Sequence, residues 1–181
     1  MISFPHCKIN LGLYITAKRP DGYHSIDTIF FPVPICDILE FVEADTPSFH
    51  LTGLPILGVA ADNLCQKAYQ LLKAKHPGLP SIHIHLHKLI PMGAGLGGGS
   101  SDGAYMLTML NEKFALGYSE EDLMPMALEL GSDCPFFISG KPAHGQGRGE
   151  ILHPVPLSLS SWWLALVNPG IHVSTKTAFE G

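Results

Sequence analysis

The sequence predicts an α+β domain, a mixed sheet with helices packed against it. Three observations carry that prediction. The opening third alternates apolar and polar residues with the period that a half-buried strand requires. Segments with helical spacing and capping residues follow, with one more strand-like run between them. The 181 residues, 46% of them hydrophobic, suffice for one substantial core but not for two ordinary domains with linkers. Residues 1–181 are therefore expected to form a single domain.

Ile9, Leu11, Leu13 and Ile15 alternate with Lys8, Asn10, Gly12 and Tyr14, so Lys8 and Asn10 point the same way. The turn residues Lys18-Arg19-Pro20-Asp21-Gly22 lead through Tyr23-His24 into a second strand, Ile26 to Val33, which makes a hairpin. Ile38 to Glu43 and Phe49 to Thr52 read as shorter strands around the loop Asp45-Thr46-Pro47-Ser48. Asp62 or Asn63 caps a helix from about 64 to 76, with Asn63 and Gln66 at capping-box spacing. Ile82, Ile84 and Leu86 then alternate with His83, His85 and His87, giving one apolar and one imidazole-bearing face.

Ser100 or Ser101 can cap the next helix, Asp102 to Phe114, whose stripe of Ala104, Leu107, Leu110 and Phe114 faces a core. Ser119 and Asp122 have capping-box spacing for a helix that ends near Leu130, with Gly131 as a left-handed cap. Ser132-Asp133-Cys134-Pro135 reads as a turn. Residues 144–150 suit either a ligand loop or a hairpin, and Trp162 and Trp163 suit the core and rim of a strand. Ser174 or Thr175 looks like the cap of a helix that stops almost as it starts, as if the parent protein continued past Gly181.

The formal net charge of -5 argues against nucleic-acid or anionic-membrane partners, which need clustered Lys and Arg. A small solute is the expected partner. Four cysteines without a CxxC pair suggest reduced thiols and a cytoplasmic location rather than a disulfide framework or zinc knuckle. His83, His85 and His87 lack the convergent geometry of a metal site on a strand and are read as a solvated face, with no metal assigned.

The strongest local signal is the run Pro91-Met92-Gly93-Ala94-Gly95-Leu96-Gly97-Gly98-Gly99-Ser100-Ser101-Asp102, with five glycines in the seven positions from Gly93. Such a loop between a strand and a helix lets backbone N–H groups surround an anion while the helix N-terminus faces it. Ser100 and Ser101 can cap the helix or offer a hydroxyl to a phosphate or its magnesium. A Walker A loop needs Lys after the last glycine, where Ser100 stands, and a dinucleotide site lacks its acidic residue at the next strand end. The companion motifs of protein kinases are missing as well.

GAGLGGGSS, together with Lys8-Ile9-Asn10-Leu11, Asp21-Gly22-Tyr23-His24 and Gly131-Ser132-Asp133-Cys134-Pro135-Phe136-Phe137 in that order, resembles the motif set of the GHMP kinases. The tetrad at 21–24 is similar to the branch that acts on 4-diphosphocytidyl-2-C-methyl-D-erythritol in the non-mevalonate isoprenoid pathway, rather than to the mevalonate or homoserine types. The resemblance runs from about Phe4 to Phe179. It implies the N-terminal GHMP domain, related to the second domain of ribosomal protein S5, with the family's C-terminal domain absent from this chain. An RNA-binding module of that fold is disfavoured by the negative charge.

The activity so implied is transfer of the γ-phosphoryl of ATP, with Mg2+, to the 2-hydroxyl of the cytidine-bearing substrate. Lys8 and Asp133 would be catalytic. Asn10, Tyr23, His24 and Thr175 would bind the substrate. Asn63, Lys88 and Met92 would surround purine and ribose, with Gly93, Ala94, Gly95, Leu96, Gly97, Gly98, Gly99, Ser100 and Ser101 around the phosphates. Chemistry agrees, since a carboxylate can take the proton of an alcohol while an ammonium steadies the phosphoryl oxygens. Cys7 stands where the family usually has alanine, and is read as a packed small residue.

Overall fold

The structure, a computed structural model, describes residues 1–56 and 62–169. Thr175 and the helix expected at its position lie outside the described residues. In chain order the elements are β1 (Ile2–Ser3), β2 (His6–Lys18), β3 (His24–Cys36), β4 (Ile38–Glu43), β5 (Ser48–Gly53), α1 (Leu64–Lys75), β6 (Ile82–Lys88), α2 (Gly98–Lys113), α3 (Glu120–Leu130), α4 (Cys134–Ser139), β7 (Ala143–Gln146) and β8 (Ile151–Pro154). They form two sheets, ordered β1-β4-β6-β5 and β2-β3-β7-β8. The first is mixed, because β5 pairs parallel to β6 while β4 pairs antiparallel to it. The second is antiparallel throughout.

Leu39 and Phe41 of β4 and Ile82, Ile84 and Leu86 of β6 share one face and are buried. Against that face pack Ala68 and Leu72 of α1 and Leu107 and Leu110 of α2, in one cluster with Phe30 of β3 and Phe136 of α4. The alternation of β6 thus does what its sequence predicts. On its other face Thr52 of β5 pairs through its hydroxyl with His85 Nε2 and His87 Nδ1, both at 2.8 Å. Side-chain hydrogen bonds between strands hold those imidazoles.

Four expectations change. The helix after the glycine run begins at Gly98, and its cap is Gly97 in left-handed backbone, φ 69°, with no side-chain capping bond. Ser100 and Ser101 therefore lie inside the helix, because glycine reaches that cap conformation without the Cβ penalty a serine would meet. Gly131 closes the last turn of α3 through its N–H to the Ala127 carbonyl, yet its φ of 172° is extended, not left-handed. The chain turns at once into α4, where the sequence suggested only a turn at Ser132–Pro135. Pro135 sits in the first turn of α4, the one place in a helix where its missing N–H costs nothing. Trp162 and Trp163 stand 76% and 100% exposed on a segment that forms neither strand nor helix. Residues 143–154 form the hairpin β7–β8.

Candidate active site

Lys8 reaches the site from β2 because strand alternation aims it inward, where it is only 6% exposed. Its ammonium donates to Asn10 Oδ1 at 2.7 Å and lies 3.5 Å from Asp133 Oδ2. It also sits 5.2 Å from the Phe30 ring centroid, a cation–π distance. Asn10 is fixed in turn, since its Nδ2 donates to Thr28 Oγ1 at 2.9 Å and Thr28 donates onward to the Gly12 carbonyl. Asp133 occupies the cap position of α4, and its side chain is 31% exposed. The pair is thus positioned on the protein side and open on the other.

The glycine loop meets this pair directly. Lys8 N–H donates to the Leu96 carbonyl at 2.9 Å, which ties the loop to β2. A Cβ on Gly97 would lie 2.8 Å from Phe137 Cζ and 3.1 Å from Lys8 Cγ, and one on Gly98 would lie 2.9 Å from Ile90 Cγ2. Those two glycines are required by close packing against protein. Gly95 differs: its φ is +72°, and an added Cβ would meet nothing within 4 Å. The first bond of α2 runs from Ser101 N–H to the Gly97 carbonyl, which leaves the N–H groups of Gly98, Gly99 and Ser100 as the unfilled donors of a helix start. They lie at the positive end of the helix, an arrangement suited to phosphate.

Ser100 and Ser101 are not equivalent. Ser100 hydrogen-bonds the Cys134 thiol, whose pKa burial pushes up to about 12, so this serine joins the start of α2 to the residue after Asp133. Ser101 is fully buried, and its hydroxyl has no partner among the described residues. Met92 is 45% exposed, and a Cβ on Gly99 would touch its Cε at 3.5 Å. Asn63 caps α1, its Oδ1 accepting from Cys65 N–H at 2.9 Å. Lys88 is fully buried between the carboxylates of Asp37 and Asp102.

Tyr23 and His24 follow a tight turn closed by Arg19 N–H to the Tyr23 carbonyl at 2.8 Å and by Tyr23 N–H to Asp21 Oδ1 at 3.1 Å. Tyr23 is half exposed, and the guanidinium of Arg148 lies 4.1 Å from its ring centroid. Arg148 comes from the β7–β8 turn, whose Gly149 would place a Cβ 3.6 Å from Asp133 Oδ1. The turn is therefore both a hairpin and a wall of the site. No motif in the sequence marks Arg148, Asp37 or Asp102 as a site residue. A lone acid inside the apolar run Ile35-Cys36-Asp37-Ile38-Leu39 was the available signal for Asp37, since an acid there needs a buried partner.

Among the described residues no group of three or more His, Cys, Asp or Glu side chains could hold a metal ion, and no helix is long and apolar enough to cross a membrane.

Residues 63–141 match the GHMP kinases N terminal domain. The 4-diphosphocytidyl-2-C-methyl-D-erythritol kinase of Azobacteroides pseudotrichonymphae is 53% identical over 179 residues, covering 99% of this chain and 67% of that protein. Its counterpart in Cytophaga hutchinsonii is 50% identical over 182 residues, covering 100% and 67%. A solved 4-(cytidine 5'-diphospho)-2C-methyl-D-erythritol kinase superposes with a TM-score of 0.74 at 35% identity, covering 87% of this chain and 56% of that one. Mevalonate kinase from Methanococcus jannaschii shares the fold alone, with a TM-score of 0.61 at 12% identity, covering 86% of this chain and 55% of that one. The chain thus spans about two thirds of the length of these curated relatives. It belongs to the 4-diphosphocytidyl-2-C-methyl-D-erythritol kinase family of the GHMP kinases.

Proposed function

We propose that the protein transfers the γ-phosphoryl of MgATP to the 2-hydroxyl of 4-diphosphocytidyl-2-C-methyl-D-erythritol, the substrate in its relatives' names. The observation that carries this reading is the meeting of the loop with a lysine–aspartate pair: the stem of Lys8 lies under Gly97 and its ammonium 3.5 Å from Asp133. Phosphoryl transfer needs little more than positioned charge and a group to receive the alcohol proton.

Asp133 takes the proton from the acceptor hydroxyl, the alkoxide oxygen bonds the γ-phosphorus, and the bond to the β–γ bridging oxygen breaks to release ADP. Lys8, 3.5 Å from Asp133, faces the phosphoryl oxygens, while Asn10 orients the lysine. The N–H groups at the start of α2 and around Gly95 receive the phosphates, and magnesium arrives with the nucleotide. Asn63 and Met92 lie toward purine and ribose, and Lys88 acts from beneath the loop. Tyr23, His24 and Arg148 hold the cytidine end. A cytoplasmic location belongs to the same proposal, supported by four cysteines that are all free.

The test is a phosphoryl-transfer assay of the full-length protein with this substrate, mevalonate and homoserine in parallel. Turnover of the diphosphocytidyl alcohol is the expected result. Turnover of either other alcohol in its place overturns the assignment of substrate.

A further inference from the structure

Three ionisable side chains lie sealed beneath the glycine loop: Asp37 between β3 and β4, Lys88 at the end of β6, and Asp102 within α2, at 0%, 0% and 1% exposure. The Lys88 ammonium pairs with Asp37 Oδ2 and, at 2.8 Å, with Asp102 Oδ2. The other oxygen of Asp37 accepts the backbone N–H groups of Leu89 at 2.6 Å and Ile90 at 2.9 Å. One ion cluster therefore grips the entry of the loop at Leu89–Ile90 and its exit at the start of α2. Gly98 is fitted to it, since an added Cβ would lie 3.2 Å from Lys88 Nζ. Such a cluster is a poor source of net stability, because desolvation offsets most of the attraction. What it supplies is a fixed distance between the two ends of a loop that is otherwise rich in glycine.

We propose that Asp37, Lys88 and Asp102 are positioning residues that clamp the two ends of the glycine loop at the separation the ATP phosphates require. This rests on the nucleotide reading above. Two carboxylates and one ammonium would leave a negative charge under an anion site if all were ionised. Asp102 Oδ1 is buried without a partner among the described residues, a position that an ionised oxygen does not sustain. Burial raises the Asp102 carboxyl to about 8, against the pull of Lys88 and with the help of Asp37. The remaining titratable neighbours are Cys65 on α1, next to Asp102, and Cys7 and Cys36 next to Asp37, whose thiols burial and the nearby carboxyl groups hold in the protonated form. At neutral pH the cluster is then electrically balanced. Raising the pH above about 8 adds a negative charge beneath the loop.

The experiment compares wild type, Asp102→Ala and Asp102→Asn in the full-length protein, by calorimetry with ATP near pH 7 and pH 9 and by amide exchange without nucleotide. Asp102→Ala should weaken ATP about tenfold, the scale of one lost charge-assisted contact, with the KM of the acceptor unchanged. It should also speed exchange over residues 89–98 while the β2–β3 hairpin exchanges as before. Asp102→Asn, a neutral near-isostere, should bind ATP like wild type near pH 7 and should not share the wild-type loss of affinity near pH 9. Wild-type exchange over 89–98 in Asp102→Ala overturns the clamp. If that variant does not fold, identical pH dependence in wild type and Asp102→Asn overturns it instead. Failure of the wild type to bind ATP overturns the nucleotide reading, and the exchange comparison alone then decides the clamp.

Discussion

Two lysine–aspartate groups flank the same glycine loop, and they differ in their access to water. Lys88 with Asp37 and Asp102 is sealed, all three side chains at 2% exposure or less. Lys8 with Asp133 is open on one side, with the aspartate 31% exposed. The sealed group has contacts of short ion-pair length, and the open pair stands 3.5 Å apart with its aspartate partly exposed. A carboxylate that must take a proton from a substrate has to be reachable, whereas one that fixes geometry has to be dry. The same two residue types thus serve two purposes, and burial divides the labour.

The largest effect that would sharpen this contrast is on stability. Lys88→Met leaves the buried Asp37 carboxylate without its cation and Asp102 without its partner, and should cost on the order of 3–5 kcal/mol. Lys8→Met, beside a partly hydrated aspartate, should cost about 1 kcal/mol or less. Urea denaturation of both variants measures the difference, and equal costs would erase the distinction between the sites.

Activity should rank them the other way. Asp133→Asn is expected to keep ATP affinity and lower kcat about a hundredfold or more, ~2.7 kcal/mol of barrier. Lys8→Met should act similarly, and the double variant should fall short of the product because both residues serve one transfer. Near-normal turnover of Asp133→Asn in the full-length protein would leave the transfer without this base.

A pH effect is expected at Asp102 as well. The folded state holds the Asp102 proton up to about pH 8, whereas the unfolded chain releases it near pH 4. The folded state therefore binds more protons across that window, and this group's contribution to stability falls as pH rises from about 4 to about 8. The difference in unfolding free energy between Asp102→Asn and wild type should grow over that range and level off above it. A flat difference would show that Asp102 is ionised when folded.

The smallest expected change is at the rim. Tyr23 is 52% exposed, so Tyr23→Ala should alter stability by less than about 1 kcal/mol. It should raise the KM of the diphosphocytidyl substrate about tenfold, the scale of a lost stacking contact, without changing that of ATP. Equal changes for both ligands would detach Tyr23 from the cytidine end.

Much of this was legible in the chain itself. The alternation at Ile82–Leu86 determined which face of β6 enters the core, and Ser119 with Asp122 determined where α3 starts, because strand period and helix caps are local properties of backbone and neighbouring side chains. The motifs that contain Lys8, Asn10, Asp133 and the glycine run are local in the sequence, and the fold brings them together. Tertiary structure decided the rest. Gly97, not a serine, starts α2 because Phe137 and Lys8 leave no room for a Cβ there. Arg148 faces Tyr23 from a hairpin 125 residues later in the chain. Asp37 and Asp102 meet at one ammonium although neither belongs to a shared local pattern. Local spacing can assign a residue to a face, but only the folded chain brings distant faces together and excludes water from one charged group while leaving it at another.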